Sequence, residues 1–216
     1  MEIRNRIDWI FFDLDGTMTD SEPGMAESFA YIFDKYGIPY TPGDLRVLYG
    51  PPIALSLGVY FDAGDVDMAV EEYREHYTEE RMLNGNSLFA GIPELLRGLR
   101  AGGYGLAVVT GKPQGMAEAV VEHFGIRGYF DAVYGARNRY SEKVETLQHA
   151  LKAHACLPER AIMIGDRLHD LEAAAMAGTG GIGVLWGYAA PGELSEREHL
   201  LLADTPGDIA EFFGVA

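Results

Sequence analysis

The chain has 216 residues, of which 48% are hydrophobic and 23% charged, as in a soluble globular protein that buries a full hydrophobic core. Asp and Glu outnumber Lys and Arg by 33 to 17, and the net charge of -16 repels nucleic acid and anionic lipid, so any anionic ligand has to be captured by a local site. The single Cys156 excludes an internal disulfide, and no apolar run reaches the roughly 18 residues of a membrane span, so we expect a cytoplasmic protein.

Short β-rich segments alternate with helical patterns over the later two-thirds of the chain. This alternation predicts an α/β fold, namely a Rossmann-like parallel sheet with helices on both faces. The predicted strands are residues 9–12, 106–109, 132–134, 161–164 and 183–186. The predicted helices are residues 93–100, 113–124, 141–155 and 168–177, followed by a short final helix that starts at Thr205-Pro206.

The segment of residues 18–84 is too long for a simple crossover between two strands, and its apolar residues recur at helical spacing. We therefore predict an all-helical cap domain over 18–84, inserted into a core formed by 1–17 and 85–216. Gly, Ser, Asn and Pro are frequent at both borders, which is typical of hinges. The aromatic residues of this segment, Tyr73 and Tyr77 among them, are interpreted as the core of the cap rather than as a ligand site.

Polar residues stand at the ends of the predicted strands. Asp13 and Asp15 follow the first strand, Thr110 ends the second, Asp166 follows the fourth, and Lys143 begins the helix after the third. Ligands of open parallel sheets bind at the carboxyl ends of the strands, so these residues are expected to converge. Two buried carboxylates this close repel each other unless a cation or a shared proton relieves them. Oxygen-only ligands favour a hard ion, and the small number of carboxylates suits Mg²⁺.

The order FDLDGT, VVTGK, Lys143 and IGDRLHD resembles the haloacid dehalogenase-like superfamily, and the helical insertion lies where that family has its cap domain. The resemblance covers essentially the whole chain. It implies that Asp13 is the nucleophile that becomes an aspartyl phosphate, and that Asp15 is the general acid and then the general base. Thr110 and the adjoining amides at a helix N-terminus, that of Gly111 among them, would hold the phosphoryl oxygens, and Lys143 would neutralise the charge shared by Asp13 and the phosphate.

The same resemblance implies a Mg²⁺ ion held by Asp13, the backbone carbonyl of Asp15 and Asp166. Asp170 would contact the groups that hold the ion rather than the ion itself. An acid at Asp15 distinguishes phosphatases and phosphomutases from dehalogenases and phosphonatases of the superfamily. Phosphonatases also need a cap lysine, and the only lysine of the predicted cap is Lys35.

Residues 48–53 (LYGPPI) and 183–188 (GVLWGY) resemble the phosphoglycolate phosphatase-like branch of the family. The expected activity is a Mg²⁺-dependent phosphatase acting on a small phosphorylated metabolite, with phosphoglycolate as one candidate. A β-phosphoglucomutase-like phosphomutase, a receiver-like signalling module and a non-catalytic binding protein are the alternatives. The oligomeric state cannot be read from the sequence.

Some residue assignments stay open at this stage. Lys112 competes with Lys143 for the role of the phosphate-binding lysine, because the proline that commonly follows that lysine in the family is replaced by Val144. The arginines of the predicted cap are candidates for binding an anionic group at the end of the substrate away from the cleaved phosphate. They are Arg46, Arg74 and Arg81.

The segment of residues 178–183 (GTGGIG) formally matches a dinucleotide-binding motif. It follows a predicted helix and precedes a predicted strand, which is the reverse of the order that the motif requires. It is therefore interpreted as a helix stop and a tight turn.

Overall fold

The computed structural model describes residues 6–137 and 142–215. Six strands form one parallel sheet in the order β5-β4-β1-β6-β7-β8, and two short strands, β2 and β3, form a separate antiparallel pair. In chain order the strands are β1 Trp9–Phe12, β2 Thr19–Asp20, β3 Ser87–Leu88, β4 Gly105–Pro113, β5 Ala132–Ala136, β6 Ala161–Gly165, β7 Gly180–Val184 and β8 Leu201–Ala203.

Helices cover both faces of the large sheet and form the segment between β2 and β3. In chain order they are α1 Glu22–Tyr36, α2 Pro42–Arg46, α3 Ile53–Leu57, α4 Val66–His76, α5 Glu79–Asn84, α6 Ile92–Ala101, α7 Gln114–His123, α8 Lys143–Ala153, α9 Leu168–Ala177 and α10 Pro206–Phe213. The α/β class and the Rossmann-like parallel sheet predicted from the sequence are confirmed. Within the described residues, no helix combines the length and the apolar character needed to cross a bilayer.

The central strand β1 is buried on both faces, which explains its continuous apolar sequence. Ile10 and Phe12 pack into the core on one side of the sheet and Phe11 into the core on the other side. Burial of each such side chain contributes about 1.5–3 kcal/mol. In the parallel register Phe12 pairs with Val108 of β4 and with Ile164 of β6, so the residues that follow these three strands emerge next to one another.

The segment from α1 to α5 leaves and re-enters the core through the β2–β3 pair, in which Thr19 lies opposite Leu88 and Asp20 opposite Ser87. Its own core is built by α1 and α4, where Phe29 and Tyr73 have ring centroids 4.7 Å apart. The insertion is therefore helical and lies at the predicted place. The predicted boundaries of the cap, 18–84, and of the core, 1–17 and 85–216, stay a prediction.

Two predicted boundaries are wrong at the glycine-rich segment. The strand predicted at 183–186 is β7, which begins at Gly180, so most of residues 178–183 is strand rather than turn. Only Gly178 acts as the predicted helix stop, with a left-handed φ of 78°. Neighbouring side chains approach this strand closely: a Cβ on Gly180 would come within 2.6 Å of Leu200 Cδ1.

Two further differences concern the elements around the site. The second strand does not end at Thr110 but continues, with an irregular register, to Pro113. The helix predicted at 141–155 spans Lys143–Ala153, and Ser141 lies outside the described residues. The edge strand β8 was not predicted.

Candidate active site

Asp13 lies directly after β1, where its backbone N–H donates to Ile164 O at 2.9 Å. Its Oδ2 is 2.7 Å from Nζ of Lys143, the first residue of α8. The same ammonium group is 2.5 Å from Asp170 Oδ1 on α9. The side chains are almost completely buried, with exposures of 6% for Asp13, 8% for Lys143 and 0% for Asp170. Lys143 therefore partly neutralises two carboxylates in a region with little water.

Asp15 is held by a different lysine. Its Oδ2 is 2.9 Å from Lys112 Nζ, and the Lys112 side chain is 4% exposed. Lys112 Nζ also donates at 3.5 Å to the hydroxyl of Tyr77, the residue that follows α4, and lies 5.3 Å from the centre of that ring. Lys112 thus joins an aspartate of the core to a tyrosine of the helical segment. Both lysines were candidates for the phosphate-binding lysine. The structure distinguishes them, because Lys143 contacts Asp13 and Lys112 contacts Asp15.

A group of three carboxylates lies at the carboxyl end of β1 and β6. Oxygens of Asp13, Asp166 and Asp170 lie within 4.8 Å of one another, and all three residues are buried. Asp166 accepts hydrogen bonds from Thr17 Oγ1 at 3.1 Å and from the backbone N–H of Tyr188 at 2.8 Å. The predicted closeness of Asp13 and Asp166 is observed, whereas the side chain of Asp15 lies with Lys112 and is not part of this group.

The electrostatics of this group fit a divalent cation. Burial raises the pKa of Asp13 to about 6, with Lys143 opposing the rise and the neighbouring carboxylates adding to it. Burial likewise raises the pKa of Asp166 to about 8, and the charges of Asp170 and Asp13 add to the rise. A cation among the carboxylates would offset both causes. The donors are all carboxylate oxygens, which hard ions prefer.

The pKa of the neighbouring lysine shifts in the opposite sense. Burial by itself lowers the pKa of Lys143, but the charges of Asp13 and Asp170 outweigh this effect, so the pKa is raised. Lys143 is therefore cationic at neutral pH.

The predicted phosphate-binding residues Thr110 and Gly111 line the same cavity as Asp13. Thr110 is buried, and its Oγ1 accepts from the backbone N–H of Lys112 at 3.2 Å. The prediction that the adjoining amide lies at a helix N-terminus is wrong, because α7 begins only at Gln114 and Gly111 is still part of β4.

The cavity above these residues has a volume of about 570 Å³ and is bounded by both the core and the helical segment. Of the three arginines considered from the sequence, only Arg74 lines it. Arg46 instead donates to Gly187 O at 2.9 Å, and Arg81 donates to His76 O at 2.9 Å. Lys35 pairs with Glu72 on the outside of the segment, at 3.0 Å, and is not among the cavity-lining residues.

Several residues of the site were missed or misjudged from the sequence. Arg137, after β5, lines the cavity, and so do Tyr73 and Tyr77, which were interpreted only as core. Tyr188 connects Asp166 with Ser21, the residue after β2, since its N–H donates to Asp166 and its hydroxyl accepts from the backbone N–H of Ser21 at 2.8 Å. The helical spacing of Tyr73 and Tyr77 was visible in the sequence. It does not identify them as cavity-lining residues, because residues of a buried core show the same spacing.

A family model described as haloacid dehalogenase-like hydrolase matches residues 10–184. A solved structure of a haloacid dehalogenase-like family protein from Streptococcus pneumoniae superposes with a TM-score of 0.91 at 30% sequence identity, covering 97% of this chain and 99% of that one.

Curated relatives carry several names. The tyrosine-protein kinase PtkA of Mycobacterium tuberculosis is 41% identical over 182 residues, which are 83% of this chain but only 62% of that protein, so the match leaves over a third of the relative uncovered. A 5'-nucleotidase of Pseudomonas aeruginosa is 36% identical, covering 88% of this chain and 87% of the relative. A phosphoglycolate phosphatase of Aquifex aeolicus is 31% identical, covering 83% and 85%.

Proposed function

This chain belongs to the haloacid dehalogenase-like hydrolases, and on that premise we propose that it is a Mg²⁺-dependent phosphatase that cleaves a small phosphomonoester through an aspartyl phosphate. One observation carries the proposal. Asp13 and Asp15 each have Oδ2 bound to a buried lysine and Oδ1 buried without a hydrogen-bond partner among the described residues. Each carboxylate is thus fixed in orientation and keeps one oxygen available for chemistry.

In the first step Asp13 acts as the nucleophile. Its free oxygen attacks phosphorus, the bond from phosphorus to the alcohol oxygen breaks, and Asp15 gives the departing alcohol a proton. Lys143, Thr110 and the Gly111 amide interact with the phosphoryl oxygens. Lys143 is well suited to this task because its raised pKa keeps it cationic.

In the second step water attacks the phosphorus of the aspartyl phosphate. Asp15, now ionised, takes a proton from that water, the bond between phosphorus and the Asp13 oxygen breaks, and inorganic phosphate leaves. Lys112 keeps Asp15 turned toward the reacting atoms during both steps, since its ammonium group lies 2.9 Å from Asp15 Oδ2.

The residues present fit a magnesium ion, which Asp13, Asp166 and the backbone carbonyl of Asp15 would hold. When bound, Mg²⁺ supplies positive charge that orients and neutralises the phosphate oxygens. Asp170 is assigned to positioning Lys143, because its Oδ1 contacts Lys143 and its Oδ2 accepts from the backbone N–H of Arg167 at 3.0 Å.

Residues 18–84 are proposed to act as a cap that covers the substrate, with 1–17 and 85–216 as the catalytic core. The substrate is a small phosphorylated metabolite, and the names of the relatives offer both phosphoglycolate and nucleotides as candidates. The comparisons do not favour the phosphomutase or the receiver-like module. A cytoplasmic location is proposed in keeping with the small-metabolite substrate.

The test is release of inorganic phosphate from a panel of phosphomonoesters by the wild type and by Asp13→Asn, with Mg²⁺ and with EDTA. We expect turnover that requires Mg²⁺ and is lost in Asp13→Asn. Asp8→Asn is the matched control, because Asp8 lies just before the same strand and forms an exposed pair with Arg160 at 2.6 Å. Near-normal activity of Asp13→Asn in protein free of contaminating phosphatase would refute the mechanism.

A further inference from the structure

The hydroxyl of Tyr73 is the feature of the cavity that the proposed chemistry leaves unused. Tyr73 lies on α4 and is 2% exposed, and its Oη is buried without a hydrogen-bond partner among the described residues. The ring is fixed by packing, with centroids 4.7 Å from Phe29 and 5.6 Å from Tyr77. An unpaired buried hydroxyl destabilises the protein by about 1–3 kcal/mol. A bound ligand that accepts a hydrogen bond from Tyr73 would offset this cost.

Tyr73 also lies close to the reacting groups. It lines the cavity together with Asp13 and Asp15. Burial raises the pKa of Tyr73, and the carboxylate of Asp15 adds to the rise, so the phenol stays protonated and able to donate. A hydrogen-bond donor in the same cavity as Asp15 is suited to an oxygen atom of the alcohol part of the substrate.

The rest of the cavity wall is mostly apolar. The residues that contribute this surface come from α1, from the loop before α3 and the first residue of α3, and from α7. They are Met25, Leu48, Tyr49, Pro51, Pro52, Ile53 and Met116. Two guanidinium groups, those of Arg74 and Arg137, are the additional donors. Among the residues that the structure describes, Arg74 Nη1 pairs with the exposed Glu71 at 3.1 Å, and such a surface pair is weak enough to exchange for a ligand.

The size of the cavity fits a whole ring-bearing metabolite. Its volume of about 570 Å³ lies within the range of roughly 300–1,000 Å³ found for sites that enclose a small molecule. A two-carbon acid such as phosphoglycolate would leave much of the apolar wall in contact with water, whereas a flat ring would bury it.

We propose that the preferred substrates of this phosphatase are nucleoside monophosphates, with the base packed on the apolar wall and a sugar hydroxyl accepting a hydrogen bond from Tyr73. This inference rests on the proposed function, because the phosphate is placed at Asp13. A nucleoside monophosphate matches each of these features of the cavity. Its base is a flat ring, the ring nitrogens and carbonyl oxygens of the bases can accept hydrogen bonds from Arg74 and Arg137, and the sugar carries hydroxyl groups near the phosphate.

The test compares four compounds: adenosine 5'-monophosphate, uridine 5'-monophosphate, phosphoglycolate and phenyl phosphate. In the wild type we expect kcat/KM to be at least about tenfold higher for a nucleotide than for phosphoglycolate, the worth of one good ring contact. In Tyr73→Phe, KM for that nucleotide should rise about three- to tenfold, the worth of one hydrogen bond. Phenyl phosphate has no hydroxyl for Tyr73, so its KM should not change.

Two controls separate recognition from folding. Tyr73→Phe removes an unpaired hydroxyl, so its melting temperature should equal or exceed that of the wild type. Tyr36→Phe is the matched control, since the Tyr36 hydroxyl donates to Glu72 at 2.9 Å, Tyr36 is not among the cavity-lining residues, and its loss should not affect any KM. Binding of the nucleotides to Asp13→Asn in Mg²⁺, followed by calorimetry, gives a readout that does not need turnover.

The possible outcomes are distinct. Phosphate release that is fastest from phosphoglycolate would overturn the inference and keep the phosphatase. No release from any compound, together with nucleotide binding to Asp13→Asn, would overturn the phosphatase and support the ligand class. An unchanged nucleotide KM in Tyr73→Phe, or no nucleotide turnover and no binding, would overturn the inference.

Discussion

The carboxylates around Asp13 predict an unusual pH dependence of stability in the absence of metal. The pKa of Asp13 is raised from 3.8 to about 6, and that of Asp166 from 3.8 to about 8. The folded protein therefore holds protons more tightly than the unfolded chain over this range. Stability conferred by the protonated groups is complete below about pH 4 and is lost as the pH rises to 8.

The magnitude follows from the smaller of the two shifts. At about 1.4 kcal/mol for each tenfold change in proton affinity, Asp13 alone costs the metal-free protein roughly 3 kcal/mol by pH 8. A bound divalent cation removes this cost, because it replaces the proton. Roughly half of this cost arises between pH 5 and pH 8, because the folded pKa of Asp13 is about 6 and the rest has already been lost between pH 4 and pH 5. For a chain of this size about 1 kcal/mol corresponds to roughly 2–4 °C in Tm, so Asp13 alone should make the difference in Tm between Mg²⁺ and EDTA grow by roughly 3–6 °C from pH 5 to pH 8.

The assay is thermal unfolding from pH 5 to 8.5 with Mg²⁺ or EDTA at constant ionic strength, for the wild type, Asp166→Asn and Glu94→Gln. Asp166→Asn should flatten the pH dependence in EDTA and reduce the stabilisation by Mg²⁺. Glu94→Gln is the control, because Glu94 is 68% exposed and forms only a 3.5 Å surface pair. A difference between Mg²⁺ and EDTA that is the same at pH 5 and pH 8 would refute the reasoning.

Three further substitutions test other parts of the site. Lys143→Met leaves two buried carboxylates unpaired, so the free energy of unfolding by urea in EDTA should fall by about 3–5 kcal/mol, whereas the exposed Lys35→Met should change it by less than about 1 kcal/mol. Gly16→Ala places a Cβ 2.2 Å from Asp166 Oδ2 at a φ of 81°, so Mg²⁺ titration should show weaker metal binding; unchanged affinity would contradict the close packing. Asp15→Asn removes the acid and base, so quenched-flow experiments should show phosphate turnover reduced about 10²-fold or more; a fall of less than tenfold would argue against that role.

The centre of the sheet could be predicted from the sequence because the apolar runs of β1, β4 and β6 are short and each is followed by a polar residue, Asp13, Thr110 and Asp166. Asp13 and Asp166 were found together for this reason, since parallel strands bring their carboxyl ends to one edge. The strand β8 was missed because three residues, Leu201–Ala203, are too few to show a period. Gly180 misled the prediction because it lies inside a strand, where a Cβ would come within 3.1 Å of Ile162 Cγ1, and a glycine at such a close approach cannot be told from a turn glycine by sequence.

Contacts between distant segments could not be predicted in the same way. Lys112 and Tyr77 lie 35 residues apart in sequence, and no local pattern indicates that they meet at Asp15. Tyr73 and Tyr77 recur at helical spacing, which a buried core also requires, so periodicity cannot tell a cavity wall from a core. Of the three arginines in the helical segment, only the folded position of α4 distinguishes Arg74.

The distribution of charge in this protein has a consequence for the kinetics of ligand capture. The chain as a whole carries a net charge of -16, whereas four cationic side chains of the described residues, Arg74, Lys112, Arg137 and Lys143, line the cavity around two aspartates. An approaching phosphate is therefore repelled at long range and attracted only at the entrance. Because salt screens the long-range field more than buried contacts, raising the ionic strength from 0.01 M to 0.15 M shortens the screening length from about 30 Å to about 8 Å and accelerates association. For an enzyme that attracts phosphates with a basic surface, salt slows association. In this protein, association with a phosphorylated substrate is instead faster at 0.15 M ionic strength than at 0.01 M.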